Sequence, residues 1–153
     1  MLGFRESLQK LENSEEFKSY KKHNPDSYVI NMIYLDEIEF NFFSPKTKIV
    51  TVFNIGKDIA FKELEKEKRT FPELEVKKIN IELSEAMDLF EEERKKFCKT
   101  EEASKTIIIL QQSSEPIWNL SQLTSVMKIL HVLISAETGN IIESSYKQII
   151  EKY

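Results

Sequence analysis

A chain of 153 residues with 41% hydrophobic and 10% aromatic content carries enough apolar surface for one ordinary core, which excludes disorder. Its formal charge of −4 argues against a dedicated nucleic-acid binder. Gly3, Gly56 and Gly139 cannot write a phosphate loop or a dinucleotide fingerprint, and the lone Cys98 forms neither an intramolecular disulfide nor a thiolate metal cluster.

Phe4, Leu8 and Leu11 sit at helical spacing, and Asn13 to Glu16 reads as a capping box that restarts a second short helix with Phe17 and Tyr20 on its apolar side. Lys21, Lys22 and His23 complement the dipole at its end, and Asn24-Pro25-Asp26 stops it. This charged, amphipathic beginning reads as neither a secretory signal nor a membrane span, so a soluble, cytoplasmic protein is expected. Charge-rich composition would also suit a heat-loving source. Tyr28–Leu35 is predicted as a strand, and Ile38, Phe40 and Phe42 alternate with Glu39 and Asn41 in a half-buried one. After the Ser44–Thr47 turn, Lys48–Asn54 runs back and completes a three-stranded meander.

Lys57–Arg69 is predicted as a charged helix with a thin stripe of Ile59, Ala60 and Leu64, stopped by Phe71-Pro72. Leu74–Leu83 reads as a strand with a slip at Lys77-Lys78. Ser84 caps the next helix, whose buried stripe is Ala86, Leu89, Phe90 and Phe97. Thr106–Leu110 is a β-branched strand, and Pro116–Leu123 alternates as another. Met127–Ser135 is apolar on both sides, as a covered central strand would be. Ser135–Asn140 is a tight hairpin in which Gly139 supplies the left-handed residue. Ile142, Tyr146, Ile149, Ile150 and Tyr153 mark one face of a predicted C-terminal helix.

A Trp-bearing strand, an apolar strand, then Ala136-Glu137-Thr138-Gly139-Asn140-Ile141 resembles the C-terminal hairpin of PepSY domains. The resemblance implies a small α+β binding or inhibitory module and supplies no family site residue for this chain. The expected fold is therefore α+β: antiparallel β-meanders packed with helices, PepSY-like, cystatin-like in general appearance, with a candidate tandem repeat. Residues 1–56 form the diverged first half, 57–72 a connecting helix and 73–153 the second half, both halves within one compact domain. In that repeat Ile30-Asn31-Met32 matches Trp118-Asn119-Leu120, and Ser44–Thr47 matches Ser135–Thr138, with Lys48 standing where Gly139 stands.

Candidate chemistry is thin. His131 lies mid-strand and reads as a sheet-face histidine with one hydrogen bond, and His23 as a helix cap. Cys98 ends a helix, where the dipole does not activate a thiolate. Glu91–Glu93 reads as a solvated helix face, and no serine sits in a nucleophile elbow. Neither metal nor cofactor is expected. Trp118, Phe43, Tyr28 and Tyr34 are the candidate binding aromatics; Phe43 shares the Glu39/Asn41 face, where an exposed ring would mark a partner surface. The sequence thus points to a non-catalytic protein- or peptide-binding module, without nucleic-acid or membrane partners. The alternatives are a structural homodimer and, third, an enzyme using Cys98 or His131.

Overall fold

Alternating apolar side chains and short turns make each strand pair with its neighbour in sequence, and one further pairing joins the two groups so formed. The computed structural model describes residues 3–97 and 103–149, so the expectations for Cys98 and for Ile150 and Tyr153 lie outside the described residues. The strands are β1 (Tyr28–Tyr34), β2 (Ile38–Ser44), β3 (Ile49–Ile55), β4 (Ile59–Glu63), β5 (Ala103–Gln112), β6 (Pro116–Thr124), β7 (Lys128–Ser135) and β8 (Ile141–Gln148). They form one antiparallel sheet in the order β4-β3-β2-β1-β5-β6-β7-β8. The seam is the β1–β5 pair, registered from Asn31 opposite Gln111 to Tyr34 opposite Ile108.

Three short helices accompany the sheet: α1 (Phe4–Glu12), α2 (Glu15–His23) and α3 (Leu83–Phe97). Strand makes up 43% of the described residues and helix 25%, so the fold is a mostly-β open sheet. This corrects the expected α+β pair of PepSY-like meanders packed with helices. What overturns it is the continuous eight-stranded ladder, in which β1 and β5 hydrogen-bond directly. The proposed repeat also matched the wrong strands. It set β1 against β6, whereas the sheet order reads symmetrically about β1 and β5. The two matched turns do share geometry: Lys48 (φ 63°) and Gly139 (φ 83°) are both left-handed, and each N–H returns to the serine four residues back. They join β2 to β3 and β7 to β8, which are not equivalent connections.

Three predicted elements are replaced. Residues 57–72 are not a helix: Ile59–Glu63 pairs with β3 as an edge strand and an extended strap follows. The strand expected at Leu74–Leu83 is a loop with a 3₁₀ turn at Val76–Lys78, and α3 starts at Leu83, one residue before the predicted Ser84 cap. The described part of the predicted C-terminal helix is strand β8.

One face of the sheet carries the main core. Phe4, Leu8 and Leu11 of α1, Phe17 and Tyr20 of α2, and Leu83, Ala86 and Phe90 of α3 join Met32, Phe40, Phe53, Leu110, Trp118, Leu120 and Val132 in one cluster. Glu82 ties the two helical units together. Gly3, at the N-cap of α1, offers no side-chain cap, and Glu82 substitutes by accepting from the N–H groups of Phe4 (2.7 Å) and Arg5 (3.3 Å). Glu82→Ala leaves those donors unpaired and should cost about 1–2 kcal/mol in urea unfolding.

Among the described residues, the opposite face is covered only at one end. Leu64 N–H donates to Val50 O and Glu67 N–H to Lys48 O as the strap leaves β4. The strap then lays Phe71 over Phe43 with ring centroids 5.3 Å apart. Ile30, Phe43 and Val50 form this small second cluster, with Tyr28 and Phe71 packed against it.

Candidate functional site

The four candidate aromatics do not form one groove. Trp118 is fully buried on the helix-bearing face, and its Nε1–H donates to Ile81 O at 2.8 Å. Phe43 lies on the Glu39/Asn41 face as the alternation required, but the strap seals it completely instead of leaving a partner surface. Tyr28 joins Phe43 (centroids 6.0 Å apart), and its hydroxyl donates to Phe71 O at 2.6 Å. Burial, with the Glu73 and Asp26 charges behind it, pushes the Tyr28 phenol above its ordinary range. Tyr34 points to the other face, where it lines a 570 Å³ cleft with Leu35, Met87, Phe90, Thr106 and Gln122.

His131 makes the one hydrogen bond expected of it. Its Nε2 lies 2.7 Å from Asn119 Oδ1, and because an amide oxygen only accepts, Nε2 carries the proton. The histidine stands on the second face with Ser121 and Ser145 opposite it on the flanking strands, and Ile129 and Leu133 on its own. This arrangement presents a hydrogen-bonding surface and shows no nucleophile–base contact among the described residues. Glu93 departs from the solvated-face expectation: it is buried and holds Lys96 Nζ at 2.7 Å. Among the described residues no three His, Cys, Asp or Glu side chains gather to hold a metal ion.

The feature the sequence did not disclose is the free outer side of β8. Among the described residues nothing pairs beyond it. Ile149 N–H donates to Met127 O at 2.9 Å, which fixes the alternation along this strand. From Glu143 onward odd positions face β7, and even positions, Ser144 and Gln148 among them, turn their amides outward. Ile141 and Ile142 are exposed at the start of the strand, and Ile129 and Met127 are exposed beside its far end. The other edge, β4, is five residues long, with Lys62 and Glu63 on it and Lys57 and Asp58 just before it; such an edge resists pairing. The sequence starts a short return strand at Ile141-Ile142 and then shows helical spacing, whereas the strand continues to Gln148.

A second pre-formed feature lies between α1, α2 and the start of β1. This cleft of about 680 Å³ has Leu8, Phe17, Val29 and Phe42 as its floor and Lys18, Lys21 and Lys22 on one rim. Lys21 Nζ donates to Ser27 O at 2.5 Å, and Glu12 and Glu73 line the cleft as well.

No protein-family model matches this chain, and no curated protein matches it. Among solved structures it is similar to a protein of Clostridium difficile 630 described as a "putative lipoprotein". The two share 10% identity over 87% of this chain and 91% of that one, with a TM-score of 0.59. That likeness is one of fold. Among the described residues no helix is long and apolar enough to cross a membrane.

Proposed function

We propose that the protein is a non-catalytic binding module that takes up an extended peptide segment as a ninth strand alongside β8. The observation that carries this reading is the long outer edge of β8, with outward amides at Ser144 and Gln148 and exposed apolar side chains at both ends. Backbone pairing at such an edge supplies affinity, and side chains on either side of the strand supply selectivity. Beside β8, one face offers Ile129, His131 and Leu133, and the other offers Tyr146 with Phe97 against it. The likeness of the Trp118–Ile141 stretch to a PepSY hairpin stays a proposal of relationship and lends the module no ligand.

The test uses peptides selected from a random display library and two proline variants. Ser144→Pro removes an outward donor and leaves the ladder to β7 intact. It should weaken the selected peptides about tenfold or more, with little change in thermal midpoint. Ser145→Pro removes a donor to β7 and should destabilise the fold itself. Selected peptides that bind Ser144→Pro as tightly as the native chain would overturn the reading. Sedimentation at micromolar concentration tests the second reading, in which β8 pairs with β8 of another copy: a dimer that Ser144→Pro dissociates favours it over peptide capture.

A further inference from the structure

The floor of the α1–α2 cleft is core that the fold leaves reachable. Leu8, Phe17, Val29 and Phe42 keep 5–8% exposure, while Phe4, Phe40 and Phe53 beside them are sealed at 0%. The opening exists because α1 and α2 are separate helices. Ser14 caps α2 through Phe17 N–H, and Glu73 and Val76 line the opening beside the two helices. A cleft of about 680 Å³ with a mainly apolar floor has the dimensions of a small-molecule site.

The rim decides what such a molecule would carry. In a chain of net charge −4, three lysines of α2 stand at one side of this opening. Spacings of three and four residues bring Lys18, Lys21 and Lys22 to one side of the helix. Lys21 is engaged with Ser27 O. Lys18 has only a loose contact with Glu15 at 3.8 Å, on side chains more than half exposed. Lys22 forms no ion pair among the described residues. Glu12 and Glu73 also line the cleft, so the lysines outnumber the carboxylates among its charged residues.

We propose that this cleft binds an anionic amphiphile, a flexible apolar chain ending in one carboxylate. The chain lies on Leu8, Phe17, Val29 and Phe42, and the carboxylate meets Lys18 and Lys22. This site is on the helix-bearing face, apart from the β8 edge, and stands or falls independently of the peptide reading.

The probes are decanoate and 1-decanol, titrated calorimetrically into the full chain with methyl NMR as the site readout. Decanoate should bind about tenfold tighter than decanol and shift the Leu8 and Val29 methyl signals. The double variant Lys18→Glu/Lys22→Glu should remove that advantage and leave decanol binding and the near-ultraviolet dichroism of Trp118 unchanged. Should the variant fold poorly, raising the salt on the native chain reads the same charge, weakening decanoate and not decanol. Equal affinity for the two probes, no decanoate binding, or shifts confined to other methyls would each overturn the proposal. So would displacement of decanoate by a β8-selected peptide, which would make the cleft part of a peptide site.

Discussion

Trp118→Ala should remove about 3–5 kcal/mol of stability, which is a large share of the margin of a single domain. The ring is fully buried in the main core, so truncation opens a cavity that β6 and the flanking strands cannot close. Its indole also secures the loop before α3. Nε1–H donates to Ile81 O, while Asn80 and Ile81 N–H groups both donate to Ala136 O at 2.8 and 2.9 Å. Ala136 N–H in turn donates to Pro116 O at 2.9 Å. The loop, the β7–β8 turn and the start of β6 therefore hold one another. Trp118→Phe keeps most of the packing and strips only the donor from Ile81 O, so about 1–3 kcal/mol is expected. Urea unfolding followed by far-ultraviolet dichroism gives both numbers, since the chain's only Trp is the residue removed. Equal losses for the two variants would show that the hydrogen bond, not the packing, carries the effect.

Phe53→Ala should cost about 3–5 kcal/mol and loosen α2 more than any other element. Phe53 is sealed on β3 at the centre of an aromatic group. Its ring centroid lies 5.5 Å from Phe17, 5.1 Å from Tyr20, 5.7 Å from Phe42 and 5.7 Å from Phe61. Phe17 and Tyr20 are the only buried residues of α2, so removing their common neighbour withdraws most of what docks that helix. A nine-residue helix is not stable alone in water. Amide exchange should therefore accelerate in α2 well before it does in β7, whose buried residues pack among Trp118 and Leu120. Uniform acceleration across the sheet would show that α2 and the strands open as one unit.

Alternating strands were legible: Ile38–Phe42 and Pro116–Leu123 fall within observed strands, whereas the run Met127–Ser135 is a strand from Lys128 but not the doubly covered central one expected, since β7 lies next to the sheet edge and Ile129 is exposed on its second face. Gly139 was legible too, since only a left-handed residue closes that turn and an added Cβ would sit 3.3 Å from Ile81 Cδ1. Lys57–Arg69 misled because Glu and Lys favour helix locally, while Ile59 to Glu63 gain more by pairing with β3. At the other end, Ile142, Tyr146 and Ile150 are four apart, a spacing that suits a helix turn and one side of a strand equally. Ser144 and Ser145, poor in helix interiors, were the discriminating signal. Phe43 shows the limit at the site itself: alternation assigned its face, but the cover comes from Phe71, on a strap whose path no local pattern encodes. The β8 edge and the lysine-rimmed cleft depended on which strands were outermost and how two helices met, both long-range facts.

The seam between β1 and β5 also sets an order of events in folding. Every other strand pairing joins neighbours in the chain through a short turn and can zip as a hairpin. The seam alone closes over β2, β3, β4, the strap and α3, so its loop-closure entropy must be met before its hydrogen bonds form. Two half-sheets are therefore expected to form early and to unite last, an order that pulse-labelled amide exchange during refolding would check. Until they do, each exposes one uncapped central strand: β1 with Met32, β5 with Ile108 and Leu110. Those two strands, fully internal in the finished molecule, are where a nascent chain is most open to pairing with the wrong partner.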